Sequence, residues 1–174
     1  IFARRFVKHR GTHLFSESIK TLLQKHTDLE ITFAGRGPED IYLKEYFKNY
    51  KNVYFTEYKN ELSANFHKDF DIAVVPSIGS EGTSLSLLEA MSVGCLVVAT
   101  HVGGMTNIIL DNHNGYLAKP SVKDLTEVID KAILSVANNQ HLRLTSNAKM
   151  TVQDSFSFIN WKKKWIQFIN GLEN

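Results

Sequence analysis

Two short runs of this sequence are apolar at every position, and they limit the possible folds more than any other feature. They are Ile72–Val75 and Leu96–Ala99, and the segment Ser84–Val93 between them has helical character and stops at Gly94. A strand without polar alternation is covered on both faces, as in parallel sheets whose crossover helices lie on both sides. The pair therefore predicts a parallel sheet between two layers of helices.

The rest of the chain continues the alternation of strand and helix. Further strand candidates are Ile1–Arg4, Glu30–Ala34, Val53–Thr56 and Gly115–Ala118. Helical spacing of apolar residues predicts additional helices at Thr12–His26, Glu39–Tyr50, Glu61–Lys68, Val122–Val136 and Phe158–Leu172. This alternation, with right-handed crossovers, predicts an α/β fold: one domain over residues 1–174, built on a doubly wound, Rossmann-like parallel sheet.

Composition excludes several classes of function. A net charge of +2 over 174 residues is too small to favour nucleic acid, and no apolar run is long enough to predict a membrane span. The single cysteine, Cys95, is predicted to be a buried thiol; it permits no internal disulfide, which favours a reducing, cytoplasmic compartment. His9 and His13 are four residues apart but separated by Gly11, so no metal site is expected.

The segment WKKKW, Trp161–Trp165, lies in the last predicted helix. Contact with an anionic membrane is one interpretation of such a basic and aromatic segment. A solvated helix face with the tryptophans packed inward is the interpretation that the pattern favours.

A glycine-containing turn precedes the helix between the two apolar strands. Gly82 permits a tight turn and a close approach of a ligand to the backbone, and Thr83 and Ser84 are good N-cap residues. A helix start offers N–H groups and the positive end of the dipole, which together bind anions, most often phosphate. The loops Gly35–Pro38 and His101–Gly104 fall on the same edge of the sheet, where ligands of this fold bind.

Two glutamates flank this helix start. Glu81 stands just before it, and Glu89 lies inside the helix among apolar residues. Burying a carboxylate among apolar residues costs free energy unless a hydrogen-bond donor reaches it, and vicinal sugar hydroxyls are suitable donors. The pattern alone is equally consistent with a surface charge at Glu81 and an ion pair with Lys or Arg at Glu89.

Several motifs then follow in a fixed order. Glu81 and Glu89 have seven residues between them, and later come Ala90-Met91, Gly103-Gly104 and Asn114-Gly115. The segments FAGRGPE, NVYFTEY and DFDIAVVPS precede them. This ordered set resembles the C-terminal, nucleotide-sugar-binding domain of retaining glycosyltransferases of family 4, which have the two-Rossmann (GT-B) architecture. The resemblance covers nearly the whole chain.

The resemblance implies roles for the residues around the helix start. Glu89 would bind the ribose hydroxyls of a nucleotide, and Glu81 would bind hydroxyls of the transferred sugar. After Gly82, backbone N–H groups would hold the distal phosphate or the sugar, and they belong to Thr83, Ser84 and Leu85. The family usually has Phe-Gly where this chain has Thr83-Ser84.

The resemblance also assigns residues in three other loops. Arg5 and Arg10 match the arginine and lysine that hold the pyrophosphate, and a guanidinium fork suits phosphate oxygens. Arg4 replaces a glycine, which would narrow the approach to the site. Gly35 lies in a loop near the nucleotide, and Tyr58 follows the third strand, where relatives contact the base.

The implied function is that of the donor-binding half of a glycosyltransferase. It would bind a UDP-, GDP- or ADP-sugar without a metal or other cofactor and transfer the glycosyl unit with retention. An N-terminal domain absent from this chain would hold a glycan or lipid-linked acceptor, in bacterial surface polysaccharide synthesis at the inner face of the membrane. The chain alone is expected to bind nucleotide without transferring sugar.

Three alternatives stay open. The chain could be a non-catalytic, nucleotide-sugar-binding subunit of a two-chain transferase. Sugar-nucleotide epimerases and glycogen-type phosphorylases share the architecture, although no candidate for a pyridoxal-binding lysine stands out in the sequence.

Overall fold

The structure, a computed structural model, describes residues 1–57, 63–79 and 81–172. Its strands are β1 (Phe2–Ala3), β2 (Ile31–Ala34), β3 (Val53–Thr56), β4 (Ile72–Val75), β5 (Leu96–Thr100) and β6 (Tyr116–Ala118). Each lies at a predicted place, with ends that differ by at most one residue. The strand predictions are therefore confirmed.

The strands form two parallel three-stranded sheets, β1-β2-β3 and β4-β5-β6. The two sheets adjoin at Ile1, whose nitrogen donates to the carbonyl of Ile72 at 2.7 Å and whose carbonyl accepts from the N–H of Val74 at 2.9 Å. The strands thus follow the order β3-β2-β1-β4-β5-β6, and the direction of winding reverses between β1 and β4. The predicted α/β, doubly wound, Rossmann-like fold is confirmed.

Seven α-helices lie in the described part of the chain: α1 (Thr12–Lys25), α2 (Asp40–Tyr46), α3 (Ser63–Phe66), α4 (Leu85–Val93), α5 (Val122–Ala137), α6 (Leu142–Ser155) and α7 (Phe158–Leu172). Short 3-10 turns occupy Lys8–Arg10, His67–Asp69 and Gly103–Asn107. The predicted extent of α2 is wrong, since it ends at Tyr46 and not at Tyr50. The predicted helix Glu61–Lys68 is α3 followed by a 3-10 turn, and its first two residues lie outside the described ranges.

Alternate residues of the strands face two different hydrophobic layers. On one face Val74 packs with residues of α1 and α5, in a cluster where the rings of Phe2 and Phe15 stack at 5.4 Å. On the other face Ala73 and Val75 pack with residues of α4 and α6. This arrangement explains why β4 and β5 are so apolar: both of their faces are covered.

Helix α7 does not pack its tryptophans inward, so that prediction is wrong. Trp161 is 56% exposed and Trp165 is 48% exposed. Their ring centroids lie 6.0 Å apart, and Phe158 and Phe168 continue the series of rings along the helix. Among the helices that the structure describes, none is long and apolar enough to cross a membrane.

Candidate functional site

The candidate site lies at the carboxyl ends of β1 and β4, where the winding of the sheet reverses. Arg4 follows β1 directly, and Ser77 comes two residues after β4. In open α/β sheets the connections after two such strands leave toward opposite faces, and the crevice between them is where ligands bind. Glu81 and Arg10 lie in the same crevice, each from its own loop.

Both oxygens of the Glu81 carboxylate accept hydrogen bonds. Oε2 accepts from the Arg4 guanidinium at 2.7 Å and from the Ser77 hydroxyl at 2.5 Å. Oε1 forms an ion pair with the guanidinium of Arg10. A second nitrogen of Arg4 donates to the Ser77 hydroxyl at 2.6 Å, which closes the network. We call these four residues the Glu81 network.

The charges of this network fix the ionisation of Glu81. Burial alone raises the pKa of a carboxyl group, but the hydrogen bonds from Arg10, Ser77 and Arg4 outweigh it and lower the pKa of Glu81 to about 2. Glu81 is therefore ionised throughout the physiological pH range. Within the Glu81 network two guanidinium groups face one carboxylate, so these four residues together carry a net positive charge, which favours an anionic ligand.

Glycines allow the neighbouring loops to come close enough to form the network. The N–H of Gly104 donates to the Glu81 carbonyl at 2.8 Å. A Cβ on Gly103 would lie 2.2 Å from that same carbonyl oxygen, and one on Gly104 would lie 2.6 Å from the carbonyl oxygen of Gly82. The Gly103-Gly104 pair is thus explained by the close packing of two loops.

A second close approach places Arg10. A Cβ on Gly11 would lie 1.7 Å from the carbonyl oxygen of Pro76. The N–H of Ile78 donates to the His9 carbonyl at 3.1 Å. These contacts hold the turn Lys8–Arg10 against the loop after β4, so that Arg10 reaches Glu81.

Helix α4 begins as the sequence predicts. Ser84 is its N-cap and accepts from the N–H of Leu87 at 3.4 Å. Within residues 1–57, 63–79 and 81–172, the N–H groups of Thr83, Ser84 and Leu85 have no acceptor. Gly82 and Thr83 are exposed, so this helix start presents unused donors beside the Glu81 network.

The other predicted site residues are more dispersed. Arg5 is exposed, whereas Glu89 is half-buried on α4. Gly35 lines a cavity of about 240 Å³ at the carboxyl ends of β2 and β3. A Cβ on Gly35 would lie 2.1 Å from the carbonyl oxygen of Arg4, so packing alone requires a glycine there. Tyr58 lies outside the described residues.

Sequence reasoning assigned Glu81 and Arg10 to the donor site but missed the contacts that Ser77 and Arg4 make with Glu81. Arg4 is 77 residues from Glu81 and 73 from Ser77, and they meet because β1 lies beside β4. The only signal was that Arg4 is the last residue of one predicted strand and that Ser77 comes shortly after another. Strand order, which the sequence does not show, was needed to use it.

Two further observations help to delimit the site: one concerns a second cavity and the other concerns possible metal ligands. A cavity of about 400 Å³ lies at the opposite edge of the sheet, where Ile1, Glu30 and Ile72 contribute to its lining. It contains no residue of the Glu81 network. Among the same residues, no group of three His, Cys, Asp or Glu side chains is placed to hold a metal ion.

Comparison with known proteins identifies similar sequences. The family described as Glycosyl transferases group 1 matches residues 1–151. A subunit of human phosphatidylinositol N-acetylglucosaminyltransferase is 34% identical over 142 residues, which cover 78% of this chain and 28% of that protein. An uncharacterized glycosyltransferase of Methanocaldococcus jannaschii is 33% identical over 151 residues, which cover 83% of this chain and 40% of that protein. The chain thus spans well under half the length of these relatives.

Solved structures show the same fold. The C-terminal domain of a glycosyl transferase group 1 family protein from Francisella tularensis superposes with a TM-score of 0.77 at 26% identity, covering 90% of this chain and 85% of that one. Anabaena HepE in complex with UDP superposes with a TM-score of 0.82 at 20% identity, covering 98% of this chain and 48% of that one. At this lower identity the likeness concerns the fold alone.

Proposed function

Since this chain belongs to the family of glycosyl transferases group 1, we propose that it binds a nucleoside diphosphate sugar in the crevice between β1 and β4. The observation that carries the proposal is the Glu81 network, in which two guanidinium groups lie beside the unused N–H groups of a helix start. A diphosphate offers the negative charge and the oxygen acceptors that such a crevice lacks.

The diphosphate would lie between Arg10 and the start of α4. Arg10 has 32% of its side chain exposed, so it can turn toward a ligand. The N–H groups of Thr83, Ser84 and Leu85 would bind the distal phosphate oxygens. Arg5 is exposed and is proposed to add a second guanidinium from the crevice rim.

The nucleoside would extend from the diphosphate along the same edge of the sheet. Glu89, half-buried on α4, is proposed to accept hydrogen bonds from the ribose hydroxyls. The cavity lined by Gly35, Phe55 and Thr56 is proposed to hold the base, together with Tyr58. Solved relatives of this fold include HepE with UDP and with UDP-glucose, so uracil is the base to test first.

The chemistry that this site supports is departure of the nucleoside diphosphate. Arg10 and the helix start would stabilise the charge that develops on the leaving phosphate, which is the usual main contribution of a protein to such a step. Glu81 would position the sugar. The bond from the anomeric carbon to the diphosphate would break, and an acceptor hydroxyl would bond to that carbon on the same face, giving its proton to a departing phosphate oxygen. We assign no covalent nucleophile.

The acceptor side is proposed to come from sequence outside these 174 residues, because the relatives are more than twice as long. The name of the human relative describes transfer to phosphatidylinositol. A glycan or lipid-linked acceptor at the inner face of a membrane, as in bacterial surface polysaccharide synthesis, fits this proposal.

Calorimetric titration with UDP, GDP and ADP tests donor binding. One nucleotide is expected to bind, and Glu89→Ala is expected to weaken it by about 1–3 kcal/mol, the range for a lost hydrogen bond to a charged group. Glu127→Ala on α5 is a matched control, because this exposed glutamate lies outside the site, and it should leave the affinity unchanged. Failure of all three nucleotides to bind would contradict the proposed function.

A further inference from the structure

The two arginines on Glu81 differ in burial and in the number of their bonds. Arg4 has 5% of its side chain exposed and donates both to Oε2 of Glu81 and to the Ser77 hydroxyl. Arg10 has 32% of its side chain exposed and pairs with Oε1 from the side of the crevice that faces solvent. The inner arginine is therefore fixed by the network, whereas the outer one can exchange its partner.

A carboxylate as buried as Glu81 is destabilised strongly when it loses its last cation. Breaking a buried ion pair by removing one partner costs several times more than an exposed pair contributes, because it leaves an uncompensated charge. If Arg10 were the only cation on Glu81, its movement to a phosphate would have that cost. With Arg4 in place, Glu81 keeps a guanidinium and the Ser77 hydroxyl after Arg10 leaves.

We propose that Arg4 is a positioning residue that permanently compensates the charge of Glu81 and thereby releases Arg10 to bind the diphosphate of the donor. This inference rests on the proposed function, since it describes how the same crevice admits its ligand. In the absence of ligand, Arg10 and Glu81 form an ion pair with each other. With ligand bound, Arg10 serves the diphosphate, and Arg4 is the cation that stays on the carboxylate.

The same geometry restricts how Glu81 contacts a sugar. A carboxylate oxygen has two acceptor positions, and those of Oε2 are filled by Arg4 and Ser77. The departure of Arg10 opens Oε1. A sugar hydroxyl therefore meets Glu81 at Oε1, and the arrangement with one hydroxyl of a vicinal diol on each oxygen is excluded.

A titration without ligand tests the compensation of charge. The Glu81 carboxylate faces Arg4 from the end of β1, Arg10 from the turn Lys8–Arg10 and Ser77 from the loop after β4. The turn Gly103–Asn107, packed on its backbone, carries no titratable side chain, and α4 carries only Glu89. The side-chain carboxyl carbon of Glu81 can be followed by NMR in the wild-type chain and in Arg4→Met. Loss of one adjacent cation is expected to raise the pKa of Glu81 by about one unit or more.

The matched control for this titration is Arg143→Met on α6. Arg143 is exposed and lies outside the network, so its loss removes the same charge from the chain without touching Glu81. The pKa of Glu81 is expected to stay at its wild-type value in this variant. An equal rise in both variants would show an effect of net charge only and would overturn the inference.

Calorimetry with UDP tests the release of Arg10. Arg4→Met is expected to weaken UDP binding about tenfold or more, because Arg10 stays on a carboxylate that has lost its other cation. Glu81→Gln alone is expected to bind UDP at least as tightly as the wild type. The double variant Arg4→Met/Glu81→Gln is expected to bind within about threefold of Glu81→Gln, since no buried charge then holds Arg10.

This rescue distinguishes positioning from a merely structural role. If Arg4 only supported the fold, the double variant would bind UDP as poorly as Arg4→Met, and that result would overturn the inference. An unchanged UDP affinity in Arg4→Met would overturn it as well. If Arg4→Met does not fold, Arg4→Lys takes its place with a smaller expected loss and the same expected rescue, because lysine keeps the charge without the planar fork.

Failure of donor binding and failure of the Arg4 role give different results. If the wild-type chain binds none of UDP, GDP and ADP, the proposed function fails, and the NMR titration decides on Arg4. An unmoved pKa of Glu81 in Arg4→Met then overturns its compensating role, and a raised pKa supports it.

Discussion

Gly103 determines where the backbone of Glu81 can lie, whereas Gly82 has no comparable packing role. Gly103 has φ of 53°, a conformation that favours glycine, and its missing Cβ makes room for the Glu81 carbonyl. A Cβ on Gly82 would meet nothing within 4 Å. The two glycines lie in adjoining loops, yet packing explains the presence of a glycine at position 103 and does not explain it at position 82.

These two positions give opposite predictions for stability and binding. Gly103→Ala is expected to lower the free energy of unfolding by about 1–3 kcal/mol, through backbone strain and displacement of Glu81. Gly82→Ala is expected to keep the stability and to weaken UDP binding, because its Cβ would stand where the ligand approaches the backbone. Urea unfolding and calorimetry on both variants check this. A loss of stability in Gly82→Ala would contradict the assignment of its role.

At the scale of elements, the 3-10 turn His67–Asp69 is attached to the start of β5 through Cys95. Cys95 is 2% exposed, which confirms the predicted buried thiol. Its thiol lies 2.9 Å from the carbonyl of His67 and 3.1 Å from that of Phe70, to which it donates, and burial raises its pKa to about 11. Neither ring nitrogen of His67 has a hydrogen-bond partner in the described structure. Burial lowers the pKa of His67 to about 4.

This histidine predicts a loss of stability in mild acid. The unfolded chain binds a proton at His67 below about pH 6.5, whereas the folded chain does so only near pH 4, so stability falls as the pH drops through that window. The expected loss is about 1–3 kcal/mol. His67→Leu should remove most of it, and His113→Leu, at an exposed histidine, should not. Urea unfolding at a series of pH values measures both, and equal slopes in the two variants would contradict the prediction.

The elements also show what the sequence could and could not predict. Strands β4 and β5 were predictable because their cores are apolar at every position. Helix α6 was missed because its buried face is built from Leu144, Thr145 and Ala148, which gives a weak apolar stripe. The exposed ring series of α7 was mistaken for an inward face, since the spacing of apolar residues does not show what lies opposite them.

At the scale of the whole molecule, the chain matches one part of much longer relatives. Its described residues contain two adjoining parallel sheets with helices packed on both faces, and the crevice that is proposed to bind a diphosphate. The sequence predicted this architecture and the edge where the crevice lies. It did not predict the Glu81 network, because pairing across the reversal of winding depends on which strands are neighbours.

The isolated chain is therefore expected to bind a donor nucleotide without transferring sugar, because the acceptor side is proposed to lie in other sequence. Release of UDP from UDP-glucose, with and without candidate acceptors, measures any turnover. Arg10→Ala is the control, since it should abolish activity that arises at this crevice. Turnover by the wild-type chain that Arg10→Ala removes would contradict the prediction.

The meeting of the two sheets at Ile1 has a consequence for cooperativity. Arg4 and Arg10 belong to the part of the chain that forms β1-β2-β3, whereas Ser77 and Glu81 belong to the part that forms β4-β5-β6. Backbone hydrogen bonds of Ile1 join the two sheets between β1 and β4, and the Glu81 network links them a second time at the carboxyl ends of these strands. A ligand that binds Arg10 in place of Glu81 would remove one link between the sheets and could replace it with its own contacts to both. Binding in the crevice and the joint unfolding of the two sheets would then be thermodynamically linked.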